Sequence, residues 1–215
     1  MSAALRSSLR LAGILLAFAL PFTGLLATAR YLTLPAIEAS LAAERLAFLN
    51  EVLPRHYYDN DLLADTLVLP PTPELGQSTE SLVYRARKDG RPAVLALEAI
   101  APDGYAGKIR LILGITHDGT ITGVRVIEHR ETPGLGDYID LKKDRNRQHP
   151  WILQFDGMNY PLVPDSQWKT QKENGHFHYR AGATLSPRAV IAAVHRAVRF
   201  AVLNRDALFG EEAAP

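Results

Sequence analysis

Hydrophobic and polar positions along this chain change rhythm three times. From Leu11 to Ala29 there are nineteen residues without a charge, mostly Leu, Ala, Ile and Phe. Such a run reads as one membrane-spanning helix, since at about 1.5 Å per residue it nearly covers the ~30 Å hydrocarbon core. Ala36 to Leu53 sets Ile37, Leu41, Leu46, Phe48 and Leu49 among Glu and Arg, the pattern of a helix of four to five turns leading away from the span, with Pro54 as its stop. From His56 to Ser78 the chain is rich in Asp, Pro and Thr and predicts a loop with one short strand near Thr66–Leu69. The period then shortens. Leu82–Arg87, Pro92–Ile100, Lys108–Thr116 and Ile121–Glu128 read as strands, and Lys88-Asp89-Gly90 and His117-Asp118-Gly119 as hairpin turns. Four strands so joined predict an antiparallel sheet. Gly104-Tyr105-Ala106-Gly107-Lys108-Ile109 is a glycine-punctuated corner between the second and third. Trp151–Phe155 has strand-like character, and the stretch to Tyr179 is loop-rich.

The last rhythm is helical. Ala189, Val190, Ala193, Val194, Ala197, Val198 and Ala201 recur at helical spacing, with Ser186 as the expected N-cap and Pro187 at the first helical position. Small residues, Ala181, Gly182 and Ala183, lead into the hydroxyls of Thr184 and Ser186. On local physics this reads as an ordinary capped helix after a tight turn, and it is also a place where free N–H groups and the helix dipole can hold a phosphate group.

Composition narrows the chemistry. The chain has 215 residues, 47% apolar and 22% charged, enough for one domain with an appendage. A net charge of +1 leaves no basic excess for binding nucleic acid. There is no cysteine, which removes disulfides, thiolate metal sites, Cys-ligated iron–sulfur clusters and thiol nucleophiles, so redox chemistry here requires a borrowed cofactor. Arg6 and Arg10 precede the apolar run and predict a cytoplasmic N-terminus with the bulk of the chain across the membrane. Ala27-Thr28-Ala29 is the small-residue pattern of a signal-peptide cleavage site, but the run exceeds the roughly 7–15 residues of a signal core, which favours an uncleaved anchor. Asp140 to Pro150 carries Lys142, Lys143, Arg145, Arg147 and His149, a solvated basic surface or a docking face for an acidic partner. His176 and His178 share one face of an extended segment, yet two His without further ligands make a poor metal site. Glu131 beside His129 lacks a nucleophile at matching spacing, so hydrolysis has little support.

Three stretches carry a family resemblance. Gly104-Tyr105-Ala106-Gly107-Lys108-Ile109, His129-Arg130-Glu131-Thr132-Pro133-Gly134-Leu135-Gly136 and Gly182-Ala183-Thr184-Leu185-Ser186-Pro187 resemble, in order and spacing, the GYxGxI corner, HxETPGLG loop and flavinylation segment of the FMN-binding G subunits of Rnf and Rsx electron-transport complexes. The C subunit of the sodium-pumping NADH:quinone reductase shares that domain. The resemblance covers nearly the whole chain. It implies an α+β fold: a transmembrane helix (11–29, after a cytoplasmic N-terminus at 1–10), a helical stalk and loop (30–80), an FMN-binding domain with an antiparallel sheet and flanking helices (81–210), and a tail (211–215). It implies FMN joined covalently through its phosphate to Thr184, with Gly182, Ala183 and Ser186 around the link and Glu131, Thr132, Gly134, Leu135 and Gly136 lining the flavin. It further implies a bacterial inner-membrane protein whose domain is periplasmic, with the A, B, C, D and E subunits of the complex as partners, a flavin transferase for maturation, and no metal. The implied role is an electron relay with no complete activity alone. The alternatives are the equivalent quinone-reductase subunit, or an unflavinylated assembly module. Two positions depart from the family pattern. Ala181 stands where Ser or Thr is usual, and His178 where an acidic residue is usual six before the modified Thr. Both bear on recognition by the transferase.

Overall fold

A computed structural model of the chain describes residues 3–210, and the expected tail at 211–215 lies outside them. Contacts divide the chain into two compact units, residues 1–45 and 46–215. Helix α1 runs without a break over Ala3–Val52 and contains both Pro21 and Pro35. The expected span at 11–29 and the expected helix at 36–53 are therefore parts of one element. Within it, Ser8–Val52 is long and apolar enough to cross a membrane, and its most apolar window has a mean hydropathy of 2.0. Leu11, Leu15, Phe18, Phe22, Leu25 and Leu26 are all exposed, an arrangement that water penalises and lipid does not.

The second unit is built on a five-stranded antiparallel meander in sequential order: β1 (Thr66–Leu69), β2 (Ser81–Lys88), β3 (Arg91–Gly104), β4 (Gly107–Thr116) and β5 (Ile121–Glu128). The predicted strands fall where the alternation placed them. Asp89 and Gly90 close the β2–β3 hairpin with positive φ at both positions, the primed turn that matches strand twist. The glycine corner is the β3–β4 hairpin, in which Gly104 pairs with Gly107 and leaves Tyr105 and Ala106 as its tip.

Strand periodicity divides the core between two faces. Leu95, Leu97, Ile109, Leu111, Leu113 and Ile115 point to one side and pack beneath helix α2 (Leu185–Leu203), through its buried Val190, Val194, Ala197 and Val198. Tyr84, Ala86, Val94, Ala96 and Ile112 point to the other, where Leu49, Val52 and Leu53 cover them. That second contact needs glycine. Gly114 and Gly123 sit opposite each other on β4 and β5, and a Cβ on Gly123 would lie 3.1 Å from the Val52 Cα. A Cβ on Gly114 would collide with the Val52 carbonyl and with the Thr122 hydroxyl that donates to it.

Between β5 and α2 the chain is irregular. Trp151–Phe155, expected to be strand-like, is a 3-10 helix that buries Trp151, Ile152 and Phe155. Aromatic contacts order this region: Tyr138 meets Trp151 edge-on, Trp151 meets Phe155, Phe155 meets Phe177, and Phe177 meets Trp168, with ring centroids between 4.8 and 5.7 Å apart. A short helix, α3 (Arg205–Phe209), follows α2 and buries Leu208 and Phe209.

Replacing Gly114 by Ala is expected to destabilise the second unit by about 1–3 kcal/mol, because the backbone of Val52 cannot retreat without leaving the sheet. Chemical denaturation of the detergent-solubilised chain, followed by tryptophan fluorescence, measures the shift in midpoint.

Candidate flavin site

The three stretches singled out in the sequence come together around one side chain. Glu131 is buried, 3% exposed. One of its carboxylate oxygens accepts the backbone N–H of Ala106 at 3.1 Å, and the other accepts the hydroxyl of Ser186. The β3–β4 tip, the loop after β5 and the first turn of α2 are thereby fastened to one carboxylate. Glycines make the room. A Cβ on Gly104 would stand 2.8 Å from one Glu131 oxygen, and a Cβ on Gly136 would stand 2.8 Å from the other and 2.5 Å from the Ser186 Oγ.

Local chemistry folds the 131–136 loop. The Leu135 and Gly136 N–H groups return to the Thr132 carbonyl, and Gly134, at φ +77°, donates its N–H to Asp137. His129 is a brace and not an acid–base partner: its ring accepts the Glu131 backbone N–H at 3.1 Å, and its Nε2 lies 3.1 Å from the Lys143 Nζ. Ser186 and Glu131 are both buried, and no His bonds either side chain among the described residues.

Residues 178–183 are held from the other side. The Ala183 N–H reaches the Arg180 carbonyl at 3.2 Å across a turn that places Gly182 at φ +85°. Tyr138 bridges this turn, its hydroxyl donating to the Ala183 carbonyl at 3.0 Å and accepting the Arg180 N–H at 3.2 Å. Burial pushes the Tyr138 phenol above its ordinary range against the lowering influence of Arg180, so the proton needed for donation stays in place. The Arg180 guanidinium lies 4.5 Å over the same ring and pairs with the fully buried Asp144. Asp144 also accepts the N–H groups of Trp151 at 2.7 Å and Asn146 at 2.8 Å, while the Trp151 indole N–H donates to the His178 carbonyl at 2.7 Å. Burial alone would raise the Asp144 carboxyl; the backbone donors Trp151 and Asn146, and then Arg180, outweigh it and hold the carboxyl below the ordinary carboxylate range.

Thr184 follows directly and occupies the N-cap of α2. This corrects the expectation that Ser186 caps the helix: Ser186 lies inside the first turn, and its hydroxyl is spent on Glu131. The Thr184 side chain makes no capping bond, is half-buried, and follows a Gly182 whose missing Cβ would face open space. The Leu185 and Ser186 N–H groups open the helix, and Pro187 has none to offer. Next to each anchored glycine or serine stands an exposed apolar side chain, Tyr105, Leu135 and Leu185, at 67, 55 and 47% exposure. A cleft of about 420 Å³ opens beside the 178–180 segment, lined by Asn146, His149, Trp151, Gln154, His178 and Arg180 among others. The arrangement offers a hydroxyl without a hydrogen bond among the described residues, a helix N-terminus, open space and an apolar rim, which suits a tethered, flat, phosphate-bearing group. Among the described residues no group of three or more His, Cys, Asp or Glu is arranged to hold a metal ion. Sequence reasoning did not find the Tyr138–Asp144–Trp151 frame; the only signal for it is the aromatic content of 138–155.

The stability of this frame depends on pH with a definite sign. Asp144 is depressed in the folded state, so it contributes stability that is fully present above the unfolded carboxylate value of about 3.9 and is lost as pH falls through its lower folded value. Asp144→Asn is expected to flatten that part of the acid-unfolding curve, read by tryptophan fluorescence against pH. Glu131→Ala strands the Ala106 N–H and the Ser186 hydroxyl and is expected to cost about 2–4 kcal/mol, against about 1 kcal/mol for Glu131→Gln, which keeps both bonds once the serine hydroxyl reverses. Urea midpoints of the two variants give the comparison.

Comparison with known proteins places the chain among its relatives. Residues 104–199 match the family model of the FMN-binding domain, and residues 1–52 match that of the RnfG N-terminal region. The G subunit of the ion-translocating oxidoreductase complex of Vibrio cholerae is 40% identical over 206 residues, which is 95% of this chain and 96% of that protein. The G subunit of Vibrio atlanticus is 42% identical over 200 residues, 93% of each chain, and that of Shewanella oneidensis is 40% identical over 200 residues, 93% of this chain and 92% of its own. A crystal structure of Shewanella oneidensis NqrC matches with a TM-score of 0.45 at 20% identity, covering 73% of this chain and 72% of that one. With a shared N-terminal region, a shared FMN-binding domain and two-fifths identity along almost its full length, the chain belongs to the family of G subunits of the ion-translocating oxidoreductase complex.

Proposed function

We propose that this protein is the membrane-anchored flavoprotein subunit of an Rnf-type ion-translocating oxidoreductase complex, relaying electrons through FMN joined by a phosphoester bond to the Thr184 hydroxyl. The observation that carries this reading is the state of Thr184, an N-cap residue whose side chain does no capping and which opens a helix at the meeting point of the three family segments. Bound flavin supplies the one- and two-electron chemistry that a cysteine-free chain lacks.

The protein's own residues bind and orient. The first N–H groups of α2 and the positive end of its dipole favour the phosphodiester. Gly182 and Ala183 leave the approach to the hydroxyl clear. Leu135, Leu185 and Tyr105 give an apolar rim for a flat ring, with Thr132, Gly134 and Gly136 forming the loop behind it. Glu131, which the family resemblance places in the flavin lining, and Ser186, which it places beside the link, serve better as the clasp that fixes this geometry, since each is bonded to the other. Thr184 itself is a tether and takes no part in turnover.

The rest of the role follows from the family. The partners are the A to E subunits of the complex, with a flavin transferase acting once on Thr184. The basic residues before the apolar run favour a cytoplasmic N-terminus, a single pass through a bacterial inner membrane, and a periplasmic domain. The match to the RnfG N-terminal region favours this assignment over the equivalent quinone-reductase subunit.

Expression with and without a flavin transferase, followed by a denaturing gel, tests the linkage. The band is expected to fluoresce only with the transferase and to go dark in Thr184→Val, while Ser186→Ala keeps its flavin. A dark wild-type band from native membranes would leave an assembly module as the reading, and loss of flavin in Ser186→Ala but not in Thr184→Val would move the acceptor.

A further inference from the structure

The basic run at 142–149 is not absorbed by the tether, and its members differ in one respect. Lys142 reaches Glu51 at 3.7 Å and lies over the Phe48 ring, Lys143 meets His129, and Arg147 meets the Leu141 carbonyl at 3.5 Å. The Asp144 carboxylate within the run is engaged by Arg180. The exposed guanidinium of Arg145 has no carboxylate, acceptor or ring partner among the described residues, and it lies against the 131–136 loop, 3.0 Å from where a Cβ on Gly134 would stand. Gly134 therefore gives Arg145 its seat, with its φ of +77° and its N–H fixed on Asp137. Two residues further on, Gly136 rests on Ser186, which is itself two residues from Thr184.

We propose that Arg145 is a fixed positive charge of the flavin site that raises the reduction potential of the bound flavin. This rests on the reading that Thr184 carries FMN. Reduction places additional negative charge on the ring, and a cation held nearby favours the more negative form, so its removal shifts the potential downwards. An arginine is suited to the task because its guanidinium is a delocalised, weakly hydrated cation. Its exposure brings screening, which makes the effect sensitive to ionic strength over a Debye length of roughly 8–10 Å.

The test uses the full-length flavinylated protein in detergent and reads the flavin midpoint potential by spectroelectrochemical titration, with gel fluorescence as an independent readout of loading. Arg145→Gln is expected to lower the potential, Arg145→Glu to lower it further, and Arg145→Lys to stay near wild type. Arg91→Gln is the control, because Arg91 lies at the far end of β3, about 40 Å along the strand from Gly104, and should leave the potential unmoved. The difference between wild type and Arg145→Glu should shrink as salt is raised. A fluorescent Arg145→Glu with an unshifted potential overturns the proposal and leaves the tether intact. A dark Arg145→Glu band beside a fluorescent wild type also overturns it, and makes Arg145 part of transferase recognition. A dark wild-type band overturns the tether itself.

Discussion

A buried carboxylate must be satisfied wherever the fold places it, and Glu131 draws two distant segments, at Ala106 and Ser186, to its own loop to do so. Removing a charged group from water costs several kcal/mol after relaxation, while hydrogen bonds to a charged group return about 1.5–3 kcal/mol each. The bonds from Ala106 and Ser186 therefore bring Glu131 close to balance, and the loss of either leaves an uncompensated charge. The glycines at 104 and 136 belong to the same requirement, since a methyl group at either position would occupy the space of a carboxylate oxygen. Thr184 holds its position because Ser186, two residues along the same helix, is fastened to that carboxylate.

The sheet makes this convergence possible by being covered on both faces. Alternate residues of β3 and β4 feed α2 on one side and the end of α1 with the following segment on the other. A one-residue slip of such a strand would exchange the side chains fitted to α2 for those fitted to the end of α1 and mispack both layers. The β3–β4 hairpin tip, with its Ala106 N–H, is thus placed to within the tolerance of a hydrogen bond. The irregular region from 138 to 180 achieves similar rigidity without regular structure, through Tyr138, Asp144 and Trp151, whose bonds fix the turn that delivers Ala183 and Thr184.

Local signals make the meander legible from the chain alone. Asp89-Gly90 and Asp118-Gly119 are turn chemistry that few other conformations use, and period-two alternation does the rest. The misreadings are places where tertiary contacts outweigh local preference. Ser186 carries a capping signal, but the Glu131 oxygen fifty-five residues away in sequence claims its hydroxyl, so the helix begins at Leu185 under Thr184. Trp151–Phe155 is apolar because it is buried under an aromatic cluster, and a run of five cannot distinguish a strand from a 3-10 turn by periodicity. The stretches expected as separate helices at 11–29 and 36–53 are one helix, Ala3–Val52, that runs on through Pro35. The three motifs were visible as motifs. Their dependence on one carboxylate was not, because a pairing across such separations leaves no mark on local pattern.

The position of Glu131 also sets an electrostatic condition on any flavin attached at Thr184. Its carboxylate already occupies the positive end of the α2 dipole through Ser186, and a phosphodiester on Thr184 would bring a second anion to the same helix end. Like charges at such a distance repel unless cations are shared between them. Three arginines belong to the segments around it: Arg180 in the preceding turn, Arg188 in the first turns of α2, and Arg145 over Gly134. Arg180 is neutralised by Asp144 and Arg188 by Glu173. Arg145 is the one whose charge is not already matched by a carboxylate among the described residues. A phosphodiester on Thr184 would therefore add a second anion beside a loop that already carries, in Arg145 over Gly134, a cation not matched by a carboxylate among the described residues.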